Sequence, residues 1–186
     1  MPPGTEPQGY LDTALAALSD EGDWKAVLDK LAVPVYATDA AGGVTYWNQA
    51  CVAFAGREPQ LGEDRWCVTW QLYTMDGDFL PHDQCPMADT IKTRTAVRGK
   101  VAIAMRPDGS RRAFTPYPTP LFDADDQLKG AVNMLIDVSD QQAGALADQA
   151  ARCKRLARST TDPRAAEVLA DMAQGYAATV AALRSS

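Results

Sequence analysis

The chain has one histidine, His82, in 186 residues. A Ser–His or Cys–His catalytic pair therefore has a single residue to draw on, and no nucleophile-elbow motif accompanies it. The four cysteines (Cys51, Cys67, Cys85 and Cys153) fall in no CxxC spacing, so the paired motifs of a structural zinc site are missing. Positive charge is in deficit. Eighteen Lys and Arg stand against 24 Asp and Glu, leaving a net charge of −6 and a pI near 4.7. That balance argues against a general nucleic-acid surface, which needs cations to neutralise phosphates. No apolar run approaches the roughly 18 residues of a membrane span. The first twenty residues also lack the basic and apolar stretches of a secretory signal. These absences lead us to expect a soluble, cytoplasmic, non-enzymatic chain with reduced cysteines and with neither a nucleic-acid nor a membrane partner.

What is present suffices for one domain with appended helices. The hydrophobic fraction is 46% and the charged fraction 23%, near the globular average. Residues 1–9, rich in Pro and Gly, read as a disordered N-terminus. Residues 10–31 read as two short amphipathic helices: Leu11, Leu15 and Leu18 keep helical spacing, as do Trp24, Val27, Leu28 and Leu31 after the breaker SDEGD. From residue 32 the pattern changes. VPVYATD and VTYWN read as strands around an AAGG turn. Asn48 caps a short helix, QACVAFA, which Gly56 stops. An irregular stretch from Arg57 to about Gln84 holds Trp66, Trp70, Tyr73 and Phe79, with a turn at Asp76-Gly77.

The segment PMADTIKTRTAV reads as a helix with Pro86 in its first turn. Three strands in a meander follow: RGKVAIAMR, SRRAFTPYPTPLF and LKGAVNMLIDV, joined at PDG and DADDQ. Pro116, Pro118 and Pro120 are two apart, so they remove N–H donors along one edge of the middle strand and leave Thr115, Tyr117 and Thr119 to pair on the other. The expected result is good pairing with the last strand and a weak seam toward the preceding one. Residues 140–186 read as a helical extension: Ser139 caps one helix, and Asp162 with Pro163 restarts a second.

The stretches VTYWNQACVAFAG, the PDG turn, AVNMLIDVSD and the closing Asp137-Val138-Ser139 resemble a PAS domain over about residues 29–140, with the domain itself taken as 32–139. WCVTWQLYTMDGDFLPHDQCPM, RPDGS and PYPTPLFD resemble, more narrowly, the sensor segments of bacterial signalling proteins such as HWE-type histidine kinases. Neither a phospho-acceptor histidine nor a Gly-rich nucleotide-binding region follows Val138 in this sequence, so a kinase activity is not expected of it. The resemblance implies an α+β fold: a five-stranded antiparallel sheet with helices on one face, here flanked by the N-terminal helices and a C-terminal helical hairpin. It also implies a small-molecule cavity between sheet and helices. Signals would pass through Asp137, Val138 and Ser139 into the terminal helices, through which a homodimer is expected, and on to a signalling partner.

Candidate ligand contacts are Arg65, Trp66, Trp70, Tyr73, His82, Cys85, Tyr117 and Asn133. Trp66 and Trp70 would share a face if their segment were helical; they either line a cavity or fill a core. The stretch PHDQCPM places His82 three residues before Cys85-Pro86. Haem iron accepts either residue, which keeps a haem-bound redox or gas sensor open, yet Pro86 gives the segment a sufficient local reading as a helix entry. A photoactive flavin domain of this resemblance would carry an Asn-Cys-Arg-Phe-Leu-Gln-like motif, which NQACVAFAG does not match, so flavin is not expected. A ligand-free interaction and dimerisation module is the remaining alternative.

Overall fold

The computed structural model describes residues 6–19 and 23–184. Most of the proposed disordered N-terminus, and part of the SDEGD breaker, lie outside the described residues. Helix α1 spans Pro7–Ser19, so residues 7–9, assigned above to the disordered N-terminus, are helical. Pro7 suits a first helical turn, and Gln8 Nε2 donates to Asp12 Oδ1 one turn on, at 2.7 Å. Helix α2, Trp24–Asp29, starts where the Asp23 carboxylate accepts the Ala26 N–H.

Strands β1 (Val35–Asp39) and β2 (Val44–Trp47) form the expected antiparallel pair. Asn48 then opens helix α3, Gln49–Ala55, and Gly56 closes it at φ 66°. The Asn48 amide does more than cap. Its Oδ1 accepts from Val35 N at 3.0 Å and Cys51 N at 3.2 Å, and its Nδ2 donates to the Leu28, Leu31 and Val33 carbonyls. One buried side chain thus ties α2, β1 and α3 together, satisfying backbone groups that no ladder reaches.

The stretch read as irregular contains a small hairpin. Strand β3 (Gln71–Tyr73) pairs with β4 (Phe79–Leu80) across the Asp76-Gly77 turn. Strands this short leave no periodicity to read. A 3₁₀ turn, His82–Gln84, leads into helix α4, Pro86–Thr93. This helix is shorter than the twelve residues of the sequence reading: Arg94 adopts the left-handed conformation at φ 57°, which ends it. Strand β5 is Ala102–Met105, β6 Arg111–Pro116, β7 Thr119–Phe122 and β8 Leu128–Asp137.

The strand order is β2-β1-β8-β6-β5-β3-β4, with β7 pairing β8. β6 and β7 are successive halves of the expected middle strand, broken at Tyr117-Pro118. The proline reading holds: β7 has β8 as its partner strand, and the Tyr117 N–H joins that ladder by donating to the Met134 carbonyl at 2.9 Å. The architecture is therefore α+β, an antiparallel sheet built on the strands the sequence marked, with the β3–β4 hairpin added beside β5.

Alternation sorts the sheet into two buried faces. Tyr36, Val44, Phe114, Ala131 and Leu135 face a layer shared with Cys51 and Phe54 of α3 and with Met87, Ala88 and Ile91 of α4. On the opposite face, Val35, Ala37, Tyr46, Val132 and Met134 meet Leu11, Ala14 and Ala17 of α1 and Leu28 of α2. The N-terminal helices thus cover the sheet's second face. A Trp24–Tyr46 edge contact, with centroids 5.0 Å apart, fastens α2 there.

The chain divides into two compact units. One comprises the residues up to Gly109 with Phe114–Asp137; the other comprises Ser110–Ala113 and the chain from Val138 on. In the second, α5 (Ser139–Ser159) and α6 (Pro163–Arg184) form an antiparallel hairpin. Asp162 restarts the chain as expected, its carboxylate accepting the Arg164 N–H at 2.9 Å. Ala143, Ala150 and Cys153 of α5 and Ala173 of α6 are buried, small side chains that let two helix backbones approach closely, and Leu183 of α6 is buried with them.

Candidate functional site

The inner layer between the sheet and α4 is mostly apolar, and a few polar groups stand inside it. Tyr36, on β1, is fully buried. Its hydroxyl donates to the Trp66 carbonyl at 2.9 Å and accepts from Asn133 Nδ2 at 3.0 Å. Asn133 sits opposite Tyr36 in the β1–β8 register and accepts the Tyr117 N–H on its Oδ1 at 2.9 Å. The Cys85 thiol points at the same Trp66 carbonyl from 3.9 Å. Cys67 lies against Thr69, with Sγ and Oγ1 3.1 Å apart.

Trp66 occupies an unusual turn. Cys67 N–H donates to the Arg65 carbonyl at 2.8 Å, closing three residues around Trp66 at φ 67°. Left-handed backbone is rare for so bulky a residue, and this turn type is itself strained. It persists because its surroundings over-determine it. Trp66 N–H donates to the Gly42 carbonyl at 2.7 Å. Its carbonyl is held from the core, and its ring lies against Gly42 so closely that a Cβ there would come within 2.2 Å of it. Arg65 and Lys92 stand over the ring, 5.4 and 6.0 Å from its centroid. Gly42, at φ 86°, is thus required both by its turn and by the ring beside it.

Burial sets the protonation of this layer. It raises the Tyr36 phenol well above its ordinary range, raises the Cys51 and Cys67 thiols, and pushes the Cys85 thiol up to about 12. All four groups are neutral at physiological pH. Two hydroxyls in the same layer have no hydrogen-bond partner among the described residues: Thr38 Oγ1 and Thr90 Oγ1. Thr38 is 4% exposed and Thr90 0%. Thr38 pairs with Val44 and Ala131, both inner-face residues. Thr90 shares the buried face of α4 with Met87 and Ile91. A buried hydroxyl left unpaired costs on the order of 1–3 kcal/mol.

Of the eight contacts expected from sequence, the structure brings Asn133, Cys85 and the Trp66 backbone together. The others it separates. Arg65 is exposed, bridging to Gly43 and donating to the Ala41 carbonyl. Trp70 is 45% exposed, because the Trp66 turn breaks the helical geometry that would have aligned the two rings. Tyr73 lies on the edge hairpin, in edge-to-face contact with Phe79 and donating to Gln71 Oε1. Tyr117 faces the opposite side of the sheet, packed on the α1–α2 layer beneath Arg98; only its backbone reaches Asn133. His82 is half-buried in the 3₁₀ turn near Asp64 and Arg57, and burial lowers its pKa. Arg57 and Asp64 form a bidentate pair with contacts of 2.9 and 2.8 Å. Tyr36, Thr38, Cys67 and Thr90 were missed; the inward position of Tyr36 and Thr38 in VYATD was their one sequence signal.

The exit of the sheet is also built differently from the sequence reading. Ser139 does not cap α5; Val138 occupies that position, with no side-chain cap bond. The Ser139 hydroxyl instead accepts the Ala113 N–H at 3.0 Å and lies 3.4 Å from its carbonyl oxygen. Val138 N–H donates to the same carbonyl at 2.9 Å. Asp137, exposed, ends β8 opposite Phe114.

Neither haem ligand is free of complications. Cys85 is protonated and engaged with Trp66, which disfavours the thiolate an iron needs. His82 Nε2 is buried without a hydrogen-bond partner among the described residues, so of the two it fits the role better. Cys51 donates to the Val35 carbonyl at 3.3 Å, which ties its thiol to β1. Among the described residues no group of three His, Cys, Asp or Glu side chains is placed to hold a metal ion, and no helix is long and apolar enough to cross a membrane.

No protein-family model matches the chain, and no curated protein does. Solved structures similar to the chain include PAS and LOV domains. The Rhodobacter sphaeroides LOV protein is 16% identical, with a TM-score of 0.46 over 91% of this chain and 96% of its own. The PAS domain of the fruit-fly ELK potassium channel is 11% identical, with a TM-score of 0.48 over 61% and 92%. The fungal blue-light photoreceptor Vivid is 15% identical, with a TM-score of 0.46 over 73% and 97%. At these levels the likeness carries nothing about activity. The α+β architecture itself rests on the antiparallel strand order and on the helices packed over the sheet.

Proposed function

We propose that the chain is a PAS-like sensory module that takes a small ligand in the layer between the sheet and α4, and that it does not catalyse a reaction. The observation that carries this reading is the set of polar groups buried in that apolar layer. A core packed for stability alone gains nothing from Thr38 and Thr90 hydroxyls without partners, or from an Asn133–Tyr36–Trp66 chain that must be satisfied at every link. Binding sites, by contrast, combine apolar walls with a few placed polar groups. Occupancy is passed on through Asp137, Val138 and Ser139 to α5. The α5–α6 hairpin leaves alanine-lined grooves around Lys154 and Ala177 and exposes Leu156, Val168 and Met172, surfaces suited to a second copy or to a signalling partner.

Native mass spectrometry of freshly purified protein tests the reading. A mass excess released on unfolding, from one small molecule per chain, is the expected result. Bare chains from every growth condition would favour the ligand-free interaction module. The haem alternative predicts a Soret band on haem addition that is lost in His82→Ala; a protein that stays colourless removes it.

A further inference from the structure

The geometry points to an uncharged, mainly apolar ligand with a hydrogen-bonding edge, held by the hydroxyls of Thr38 on β1 and Thr90 on α4. This rests on the small-ligand reading above and specifies its chemistry. Three observations on different elements converge. Both hydroxyls are buried, belong to the layer between the sheet and α4, and lack hydrogen-bond partners among the described residues, so each has hydrogen-bonding capacity that an entering group would use. The buried polar residues are threonine, asparagine and serine: Thr38, Asn48, Thr69, Thr90, Asn133 and Ser139. No charged side chain is buried among the described residues to neutralise a charged ligand, and the thiols and phenol of the layer are held protonated. A carboxylate or phosphate there would be desolvated without a counter-charge, which is strongly unfavourable. Finally, the rest of the layer is apolar, from Ala88, Ala104 and Ala131 to Phe54, Met87 and Phe114, surroundings that favour an apolar body on the ligand.

A matched pair of probes tests this on the full chain. The protein is stripped of bound material by unfolding, washing and refolding. It is then heated alone, with 2-naphthamide and with 2-naphthoate, which share a shape and differ in charge. 2-Naphthamide is expected to raise the Tm and 2-naphthoate to leave it unchanged. In the double variant Thr38→Val, Thr90→Val the amide's shift is lost, while the unliganded protein melts roughly 2–4 °C higher because orphan hydroxyls are gone. Thr38→Ser, Thr90→Ser keeps the hydroxyls and keeps the shift, which shows that the valine effect is not one of folding. An equal or larger shift with 2-naphthoate, or an amide shift that survives both valines, overturns the assignment while leaving a ligand-binding core. No shift with either probe overturns the small-ligand reading along with it.

Discussion

Trp66 shows how one residue joins several parts of this protein. Its carbonyl is read from the sheet by Tyr36 and from the α4 entry by Cys85, while its N–H and ring are held by the β1–β2 turn at Gly42. Any change in the inner layer that moves Tyr36 or Cys85 acts directly on this strained turn. His82, three residues before Cys85, adds a pH dependence. Burial lowers its folded pKa below the ordinary 6.5, partly opposed by Asp64 and Asp83 and assisted by Arg57. The unfolded chain therefore binds the proton more readily than the folded one. Its contribution to stability is full above about pH 6.5 and is lost as pH falls from there through the lowered folded pKa. Thermal melts at pH 7.5 and 5.5 are expected to show a smaller acid-side loss for His82→Gln than for wild type. An identical loss in both would place the acid sensitivity elsewhere.

Residue roles were the least legible part of the sequence. Trp66 and Trp70 would share a face only in a helical segment, and Trp66 at φ 67° rules that geometry out. The signal for Trp66 is a contact with Gly42, 24 positions earlier, which no local pattern carries. Asn48 was legible as a cap because capping is local; its three bonds back to the α2–β1 connection were not.

Among elements, the prolines of the β6–β7 region had the most readable consequence. They strip donors from the edge facing β5, and the sheet there gives way to a side-chain clasp. Arg98, from the loop after α4, donates to the Pro118 carbonyl at 2.7 Å and to Thr119 Oγ1 at 2.8 Å, and lies 5.6 Å over the Tyr117 ring. Arg98→Ala is expected to cost only about 1 kcal/mol, since the pair is largely exposed, but to speed amide exchange in Thr119–Phe122 well beyond that in β1. Uniform exchange across the sheet would show that β7 needs no clasp. The hairpin β3–β4 and the early end of α4 escaped the sequence reading for opposite reasons. Two- and three-residue strands have no period, and Arg94 is a left-handed stop without a glycine to announce it.

At the scale of the molecule, the sheet is closed on both faces by its own chain, with α1 and α2 on one side and α3 and α4 on the other. The fold class came from the resemblance of the marked stretches to a PAS domain; strand alternation only located the strands. It did not say which side would hold the polar groups, because that depends on which helices arrive from elsewhere in the chain. With the inner layer as the sensor, Val138 and Ser139 are the way out: both bind the Ala113 peptide group at the point where the sheet ends and α5 begins. The central claim is that occupancy of the inner layer is felt at that point. Hydrogen exchange of the full chain with and without saturating 2-naphthamide measures it most directly. The account predicts added protection in α4 and β8 and, with it, a change at the Ala113, Val138 and Gln142 amides. Protection confined to α4 and β8, with those three amides unchanged, would contradict it.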